Sequence, residues 1–329
     1  MHQSKIYDIA GAAGVSLATV SRVINHPEKV KKATRDRVLN IIKNKGYIPN
    51  ANARGLASRR STTVAVVVPT LTRASVSEMI QGIYDSANNY GYTIRLFITS
   101  DLGSNAKEWG EIVASSVDGI LFMNDEMSTE VYSQIKNTPV PIVFVNSVSK
   151  DPEYGSVCIN NEQSAYDITK NMIEKGRKKI LFITTEHIYT VNIQKEKGYK
   201  RAMEEGGLTA EIIRTSGKVA VNEEDFRAYF DSGNLPEVAL VVRDSMAISF
   251  MNLARKRGIK VPEELEVIGF QNTRYAILSN PKLTCVDTPI YEIGNRAMRQ
   301  LTELMQKPEE TKPVNEVVEN EIIWRESTR

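Results

Sequence analysis

The outer face of one short predicted helix carries the side chains best suited to binding chemistry. Residues 17–25 follow Ser16, whose hydroxyl can accept a hydrogen bond from an otherwise unpaired backbone N–H at a helix start. Val20, Val23 and Ile24 recur at helical spacing and predict the buried side of this helix. Its outer side then carries small, hydrogen-bonding or cationic groups: Leu17, Ala18, Thr19, Ser21, Arg22 and Asn25. Such groups can contact the base edges and phosphates of duplex DNA.

Two further helices must position this face. Apolar residues recur at helical spacing over residues 6–13, and Gly14 can end that helix in a left-handed conformation. A third helix over residues 32–45 packs its apolar side against the pair, and Gly46 ends it. Two short helices joined by a glycine-containing turn, the second with a polar outer face, are typical of a helix-turn-helix.

The charge distribution supports DNA binding rather than a helical bundle without a ligand. Residues 1–60 carry twelve Lys or Arg and three Asp or Glu, a net charge of +9. The whole chain has a net charge of only +2, so the remainder is acidic, at −7. A compact basic head is suited to neutralising the phosphate backbone, which supplies most of the sequence-independent affinity for DNA.

From residue 61 onward, strand and helix patterns alternate. The continuous β-branched run Thr63–Val68 is typical of a strand buried on both faces of a parallel sheet. The alternation occurs in two successive sets and ends in a pair of strands around residues 316–324. It predicts an α/β fold with two doubly wound parallel sheets, whose ligands bind at the carboxyl ends of the strands.

Enzymatic signatures do not appear in the sequence. Pro69 and Thr70 follow the first strand where a dinucleotide-binding protein has a glycine-rich turn, and neither a P-loop nor a GxSxG motif occurs. The three histidines are scattered, and Cys158 and Cys285 lie in apolar runs without metal-ligand spacing. The sequence therefore predicts two reduced core cysteines, no enzyme, no cofactor and no metal. Without a membrane-spanning apolar run or a signal peptide, a cytoplasmic protein is expected.

Five segments of the sequence resemble the LacI/GalR family of bacterial repressors. They are residues 6–10 (IYDIA), 15–16 (VS), 19–23 (TVSRV), 46–50 (GYIPN) and 53–58 (ARGLAS). The resemblance implies a homodimer that binds a pseudo-palindromic operator through a helix-turn-helix head (1–48) and a hinge helix (49–60). It also implies a two-lobe, periplasmic-binding-protein-like core over 61–329. In that core the first lobe spans about 61–160 plus part of 290–320, and the second spans about 161–289 plus the C-terminal end.

The same resemblance assigns DNA contacts residue by residue. The set is Ser16, Leu17, Ala18, Thr19, Ser21, Arg22, Asn25, Tyr47, Asn50, Ala53, Arg54, Leu56 and Ala57. Leu17, Ala18 and Arg22 match the positions that read base edges, and Arg22 is suited to bidentate contact with guanine. Leu56 matches the apolar wedge that enters the minor groove and kinks the duplex. The alternative for Leu56 is an ordinary interface leucine.

In this family a small effector binds in the cleft between the two lobes. The corresponding residues here are Thr70, Ser75, Asn124, Lys195, Asp244 and Gln271. Sugar-responsive members usually have an acid at position 70, an arginine at 195 and an aspartate at 271. These differences leave two interpretations open: the effector is not a typical free sugar, or it is a sugar of different shape, such as a disaccharide.

Within the family, segments along most of the chain resemble the catabolite control protein A group of Gram-positive bacteria; examples are KGYKRA (197–202) and VPEEL (261–265). Members of that group are activated by Ser-phosphorylated HPr, which docks on the first lobe and on the helix starting at Tyr291. The implied partner-binding residues are Tyr291, Glu292, Arg296 and Arg299. Arg299 could bind the phosphoserine, although Glu303 stands where the group has a lysine and would repel it. Alternatively, Arg299 is a solvated helix charge.

Three functional hypotheses remain at this stage. The first is a catabolite-control regulator of carbohydrate-utilisation genes with a phosphoprotein corepressor. The second is a dedicated sugar-operon repressor released by a small sugar inducer. The partners left open are Ser-phosphorylated HPr and a sugar or sugar phosphate effector. The third is a solute-binding protein or sugar enzyme that shares only the two-lobe core, against which the basic head argues.

Overall fold

The computed structural model describes residues 5–47, 61–99, 106–123, 129–149, 151–187, 189–218 and 221–329. The chain divides into two compact units, Met1–Ser61 and Thr62–Arg329. In the described parts of the chain, no helix is both long and apolar enough to cross a membrane.

The N-terminal unit contains the three predicted helices. They are α1 (Ile6–Ala13), α2 (Leu17–Asn25) and α3 (Lys32–Lys45), with a short 3-10 turn at Pro27–Lys29. Both α1 and α3 end at a glycine in the left-handed conformation, Gly14 at φ 62° and Gly46 at φ 58°. Ile9, Val20 and Val38 are fully buried where the helices meet. The predicted helix-turn-helix is therefore confirmed.

The first lobe of the C-terminal unit is built on a six-stranded parallel sheet. Its strands are β1 (Thr63–Val68), β2 (Thr93–Ile98), β3 (Gly119–Phe122), β4 (Ile142–Val145), β5 (Gly155–Cys158) and β11 (Asn315–Val317), in the order β11-β5-β4-β3-β1-β2. Its helices are α4 (Ala74–Asn89), α5 (Ala106–Ala114), α6 (Thr129–Lys136) and α12 (Ile290–Gln306). Alternate residues of β1 enter the two cores on opposite faces of the sheet, which explains its continuous apolar run.

The second lobe repeats this design. Its strands are β6 (Ile180–Thr185), β7 (Glu211–Thr215), β8 (Val238–Val241), β9 (Glu266–Gly269), β10 (Thr284–Val286) and β12 (Ile322–Ile323), in the order β12-β10-β9-β8-β6-β7. Its helices are α7 (Asn161–Glu174), α8 (Thr190–Glu205), α9 (Asn222–Asp231), α10 (Asp244–Lys256) and α11 (Arg274–Leu278). All its strand pairs are parallel except β10 with β12. The predicted α/β class with two doubly wound sheets is confirmed.

The prediction of a final strand pair is wrong. β11 lies parallel to β5 in the first sheet, whereas β12 lies antiparallel to β10 in the second. The chain thus passes from one lobe to the other between Val317 and Ile322. Cys158 and Cys285 are both buried in strands, without a disulfide.

The helix α12 belongs to the first lobe although it follows a strand of the second. It packs against α4 so closely that a side chain at Gly82 would collide with the carbonyl of Tyr291. A side chain at Gly294 would likewise collide with the carbonyl of Met79. This packing holds the first turns of α12 against the middle of α4.

Candidate DNA-binding and effector sites

The outer face of α2 exposes some of the predicted DNA contacts and partly buries others. The Ser16 hydroxyl accepts a hydrogen bond from the Thr19 N–H at 3.2 Å and lies 2.9 Å from the Thr19 hydroxyl. Ala18 and Arg22 are exposed, whereas Leu17 is half-buried against the head core. The exposed pair is therefore the part of α2 most available to a base edge.

The other predicted DNA contacts of the head are less exposed or lie at a helix end. Ser21 is half-buried, Tyr47 packs against the head core, and Asn25 is the last residue of α2. The predicted hinge contacts lie outside the described residues: Asn50, Ala53, Arg54, Leu56 and Ala57. Exposed lysines and arginines on the three helices and in the segments that flank them give the head the cationic surface that its charge predicted: Lys5, Arg22, Lys29, Lys31, Lys32, Arg37, Lys43 and Lys45.

In the C-terminal unit, a solvent-open cavity lies where the carboxyl ends of the two sheets face each other. The first lobe contributes residues that follow β1, β3 and β4, and the second contributes residues that follow β6, β8 and β9. The lining consists of Pro69, Arg73, Ser75, Val76, Met79, Met123, Val145, Asn146, Tyr189, Val191, Asn192, Lys195, Val242, Arg243 and Gln271. We call this cavity the interlobe cleft.

Three of the six predicted effector residues line the interlobe cleft: Ser75, Lys195 and Gln271. The Gln271 side-chain amide donates a hydrogen bond across the cleft to the Ser75 hydroxyl at 3.3 Å. Thr70 is not part of the lining, and its hydroxyl lies 3.0 Å from that of Thr72. Asn124 lies outside the described residues.

Asp244 is close to the interlobe cleft but does not line it. Its side chain is only 1% exposed, and one oxygen accepts hydrogen bonds from the Thr273 N–H at 2.6 Å and the Thr273 hydroxyl at 2.8 Å. The other oxygen lies 3.7 Å from the Cys285 thiol. Burial raises the pKa of Asp244, and these hydrogen bonds oppose the rise. The carboxylate braces the loop after β9 within the second lobe.

The sequence analysis missed a cluster of two arginines around one tyrosine. Arg73 donates a hydrogen bond from its guanidinium to the Tyr189 hydroxyl at 2.6 Å. The guanidinium carbons of Arg73 and Arg243 lie 5.0 Å and 5.5 Å from the centre of the Tyr189 ring. Arg243 also donates to the Gly217 carbonyl at 3.1 Å. Both arginines lie just beyond the carboxyl end of a central strand, and that position could have identified them.

The environment of the interlobe cleft lowers the pKa values of two of its cationic side chains. Burial lowers the pKa of Lys195 to about 8, and the nearby Asp244 only partly opposes this effect. Burial lowers the pKa of Arg243 to about 10, and repulsion by Arg73 contributes. Among the lining residues that the structure describes, none carries a carboxylate. The cleft is therefore a partly buried cationic site.

The predicted partner-binding residues lie on α12 and are well paired. Arg296 donates to Glu292 at 2.6 Å and to Glu316 at 2.9 Å, and Arg299 lies 3.7 Å from Glu316. These hydrogen bonds raise the pKa of Arg296. The Tyr291 hydroxyl donates to Asp85 at 2.8 Å. We call Tyr291, Glu292, Arg296, Arg299 and Glu316 the α12 surface.

A helix-turn-helix head followed by a two-lobe core defines a class of ligand-responsive DNA-binding regulators, and comparison with known proteins agrees. Residues 5–50 match the lacI family of bacterial regulatory proteins, and residues 169–328 match a periplasmic binding protein-like domain. The chain is 38% identical to catabolite control protein A of Priestia megaterium, over 92% of each chain. It is 36% identical to catabolite control protein A of Staphylococcus aureus, over 98% of this chain and 99% of that one.

The protein therefore belongs to the lacI family and is a DNA-binding transcriptional regulator similar to the catabolite control proteins. Solved structures agree on the fold. The lac repressor dimer bound to operator and the anti-inducer ONPF is 21% identical, with a TM-score of 0.88 over 99% of each chain. The transcription regulator CcpA of Lactococcus lactis is 28% identical, with a TM-score of 0.70 over 81% of this chain and 99% of that one.

Proposed function

We propose that this regulator is a homodimer that represses carbohydrate-utilisation genes, and that a small ligand in the interlobe cleft sets its affinity for a pseudo-palindromic operator. The observation that carries the proposal is that both lobes furnish the walls of one cavity, bridged by Arg73 to Tyr189 and by Gln271 to Ser75. A ligand that contacts both walls prefers one arrangement of the lobes and shifts the population toward it. The catabolite control relatives support the link to carbohydrate use.

On the operator, two copies of α2 read half-sites in successive major grooves. Arg22 contacts guanine, while Leu17 and Ala18 make apolar contacts with base edges. Two hinge segments meet at the centre of the operator, where paired Leu56 side chains enter the minor groove and kink the DNA. The protein acts in the cytoplasm, where bacterial DNA is accessible to it.

Operator titration tests the proposal directly. Fluorescence anisotropy of a labelled palindromic operator, in the absence and presence of candidate effectors, measures both affinity and its regulation. We expect saturable binding with a stoichiometry of one dimer per palindrome and a change in affinity with one class of effector. A protein that binds an effector but no palindrome would instead be a solute-binding protein.

Substitution of Arg22 tests the assignment of base reading. Arg22→Ala should weaken binding to the specific operator by about 10- to 100-fold, because one bidentate contact to guanine contributes about 1–3 kcal/mol of discrimination. Binding to random DNA of the same length should weaken much less. Equal losses on the two DNAs would show that Arg22 contacts phosphate rather than a base.

A second candidate is regulation by Ser-phosphorylated HPr docking on the α12 surface. The similarity to catabolite control proteins over nearly the whole chain favours it, together with Arg296 and Arg299 on one face of α12. In the same titration, tighter operator binding with the phosphoprotein, and no change with unphosphorylated HPr, would support this candidate. Indifference to both forms would leave the interlobe cleft as the regulatory site.

A further inference from the structure

In the described part of the chain, three segments cross between the two lobes. Residues 159–160 join β5 to α7, residues 287–289 join β10 to α12, and residues 318–321 join β11 to β12. Because the lobes are joined at these places, their relative arrangement changes through backbone rotation there. We call these segments the first, second and third crossovers.

The turn that follows β9 is bonded to the second crossover at each of its three residues. The Thr288 hydroxyl donates a hydrogen bond to the Phe270 carbonyl at 2.9 Å. The Thr288 N–H donates to the Gln271 carbonyl at 3.4 Å. The Asn272 side-chain amide donates to the Asp287 carboxylate at 2.8 Å. The turn and the second crossover are therefore expected to move together.

The side chain of Asn272 is held from both sides. Its amide nitrogen donates to Asp287, and its amide oxygen accepts a hydrogen bond from the Arg325 guanidinium at 2.6 Å. An ionised carboxylate can only accept and a guanidinium can only donate, so the orientation of the amide between them is fixed. The backbone of Asn272 lies in the left-handed region, at φ 57°, which asparagine adopts more readily than most residues. Backbone and side chain therefore both favour asparagine at this position.

The same contacts extend to the third crossover. The Asp287 N–H donates to the Glu321 carbonyl at 2.7 Å. Arg325, two residues beyond β12, also donates to the Leu283 carbonyl at 2.6 Å. We call the side chains of Asn272, Asp287 and Arg325 the crossover network. This network ties the turn after β9 to two of the three crossovers.

Gln271 connects the crossover network to the interlobe cleft. Its side chain lines the cleft and bonds Ser75 of the first lobe, while its carbonyl is held by Thr288. We infer that the crossover network converts a displacement of Gln271 in the cleft into rotation at the second and third crossovers. Its three members are thus positioning residues for regulation. This inference rests on the proposed function, in which the arrangement of the lobes sets operator affinity, and it adds the residues that carry the coupling.

Coupling between the cleft and the crossovers requires a stiff connection. If the turn after β9 moved without the second crossover, local motion would absorb part of the effect of a ligand at Gln271, and the lobes would respond less. Asp287 and Arg325 are half-buried, where charge-assisted hydrogen bonds keep more of their strength than in water. Because coupling is reciprocal, operator binding should act back on the lobe arrangement through the same residues.

Exchange of two side chains tests this role in the full-length protein. Asn272→Asp places a carboxylate opposite Asp287, so repulsion replaces the hydrogen bond. Adding Asp287→Asn restores the pair with reversed polarity: the amide introduced at position 287 donates to the carboxylate introduced at position 272, whose second oxygen still accepts from Arg325. Asn272→Gly keeps the left-handed backbone without a side chain, so Asp287→Asn should not rescue it. Asn234→Asp is the matched control, because Asn234 is exposed between α9 and β8.

The measured quantity is the distance between the lobes with and without a palindromic operator duplex. Spin labels at Glu111→Cys on α5 and Glu204→Cys on α8 report this distance by double electron–electron resonance; both positions are exposed, and the two native cysteines are buried. An excess of unlabelled protein leaves one labelled protomer in each dimer.

We expect the operator to shift the wild-type distance distribution. Asn272→Asp and Asn272→Gly should each lose at least half of that shift, and the exchanged pair should recover it. Operator affinity should fall by about two- to tenfold in the two single variants, because a smaller fraction of the protein holds the binding-competent arrangement. Asn234→Asp should behave like the wild type in both measurements.

Two results would overturn the inference. The first is an operator-induced shift that is unchanged in both variants at position 272. The second is an exchanged pair that recovers the wild-type melting temperature but not the shift, because the network would then be a structural brace without a role in coupling. A wild type that binds the operator without any shift would contradict the proposed function itself, and the inference would fail with it.

Discussion

The interlobe cleft and the α12 surface each present two arginines, yet their electrostatic states are opposite. In the cleft, Arg73 and Arg243 share the Tyr189 ring, and burial and repulsion lower the pKa of Arg243 to about 10. On the α12 surface, Glu292 and Glu316 raise the pKa of Arg296. A new anion in the cleft therefore meets cations without acidic partners among the described lining residues. A new anion at α12 has to displace carboxylates.

This difference separates the two modes of regulation that the sequence left open. A phosphoprotein at the α12 surface would exchange one set of ion pairs for another, beside the exposed Glu303. Such exchanges between half-exposed groups give small net energies. A small anion in the cleft would pair charges that are unfavourably buried at present. The arrangement of charges therefore favours the cleft as the site where an anion has the larger effect.

Removal of the cleft lysine should produce the largest change. With a pKa of about 8 in the folded protein against 10.5 for an ordinary lysine, Lys195 destabilises the ligand-free fold when protonated. Lys195→Met should then raise the free energy of unfolding at pH 7 by up to about 3 kcal/mol, from 1.36 kcal/mol per pKa unit. If the effector is a sugar phosphate, the same variant should lose most of the thermal shift with glucose 6-phosphate.

Thermal unfolding with and without the ligand measures both effects. The matched control is Lys197→Met on the same helix, because the Lys197 side chain is 71% exposed and pairs with Glu162. Its effect on both quantities should be small. A ligand-free Lys195→Met protein that melts below the wild type would contradict the description of Lys195 as an unsatisfied buried cation.

The pH dependence of anion binding should show a smaller effect of the same lysine. Below pH 8, Lys195 is protonated in the free and bound protein, so affinity should be constant. Above pH 8, Lys195 loses its proton in the free protein but keeps it in the anion-bound protein, so affinity should fall by up to about tenfold per pH unit. The other charges facing Lys195 are Asp244 and Arg243, and Arg243 remains protonated until about pH 10.

Calorimetric titration with glucose 6-phosphate from pH 7.5 to 9.5 measures this decrease, because the phosphate stays dianionic throughout, its second pKa being about 6. Lys195→Met should have a flat profile over the same range. A wild-type profile that is also flat would place the proton uptake elsewhere and remove Lys195 from the anion site.

The helix-turn-helix was predictable because its signals are local. Gly14, Ser16 and Gly46 mark helix ends in the sequence, and the structure places caps at each of them. The long apolar strands were equally clear. By contrast, β10, β11 and β12 have only two or three residues each, too few for periodicity to identify. Their division between two sheets depends on long-range pairing that no local pattern encodes.

The interlobe cleft also depends on contacts between residues that are far apart in the sequence. The resemblance pointed to Ser75, Lys195 and Gln271, and the structure places these three side chains on the wall of one cavity. Their role as effector contacts stays a prediction. The contact between Arg73 and Tyr189 joins residues 116 positions apart, so spacing could not reveal it. Asp244 was predicted as a ligand contact from the family resemblance. Its orientation is set by hydrogen bonds to Thr273, whose proximity is known only from the fold.

The smallest predicted effect concerns the α12 surface. Glu316→Gln removes the carboxylate shared by Arg296 and Arg299, so both should become more available to a phosphoserine. If Ser-phosphorylated HPr docks on the α12 surface, its affinity should rise by about two- to threefold at low salt, with less gain at high salt, because Arg299 is half-exposed and solvent screens it. Surface plasmon resonance with phosphorylated and unphosphorylated HPr measures the change.

Glu309→Gln is the control for this substitution, because it removes the same charge from an exposed position just beyond α12. A gain seen with Glu316→Gln but not with Glu309→Gln would show that the paired arginines are held back by their own acids, and that α12 is a phosphate-binding surface after all. Equal responses of the two variants would mean that phosphate does not reach Arg296 or Arg299. The interlobe cleft, whose cations have no acidic partners among the described lining residues, would then be the better-supported binding site for a regulatory anion.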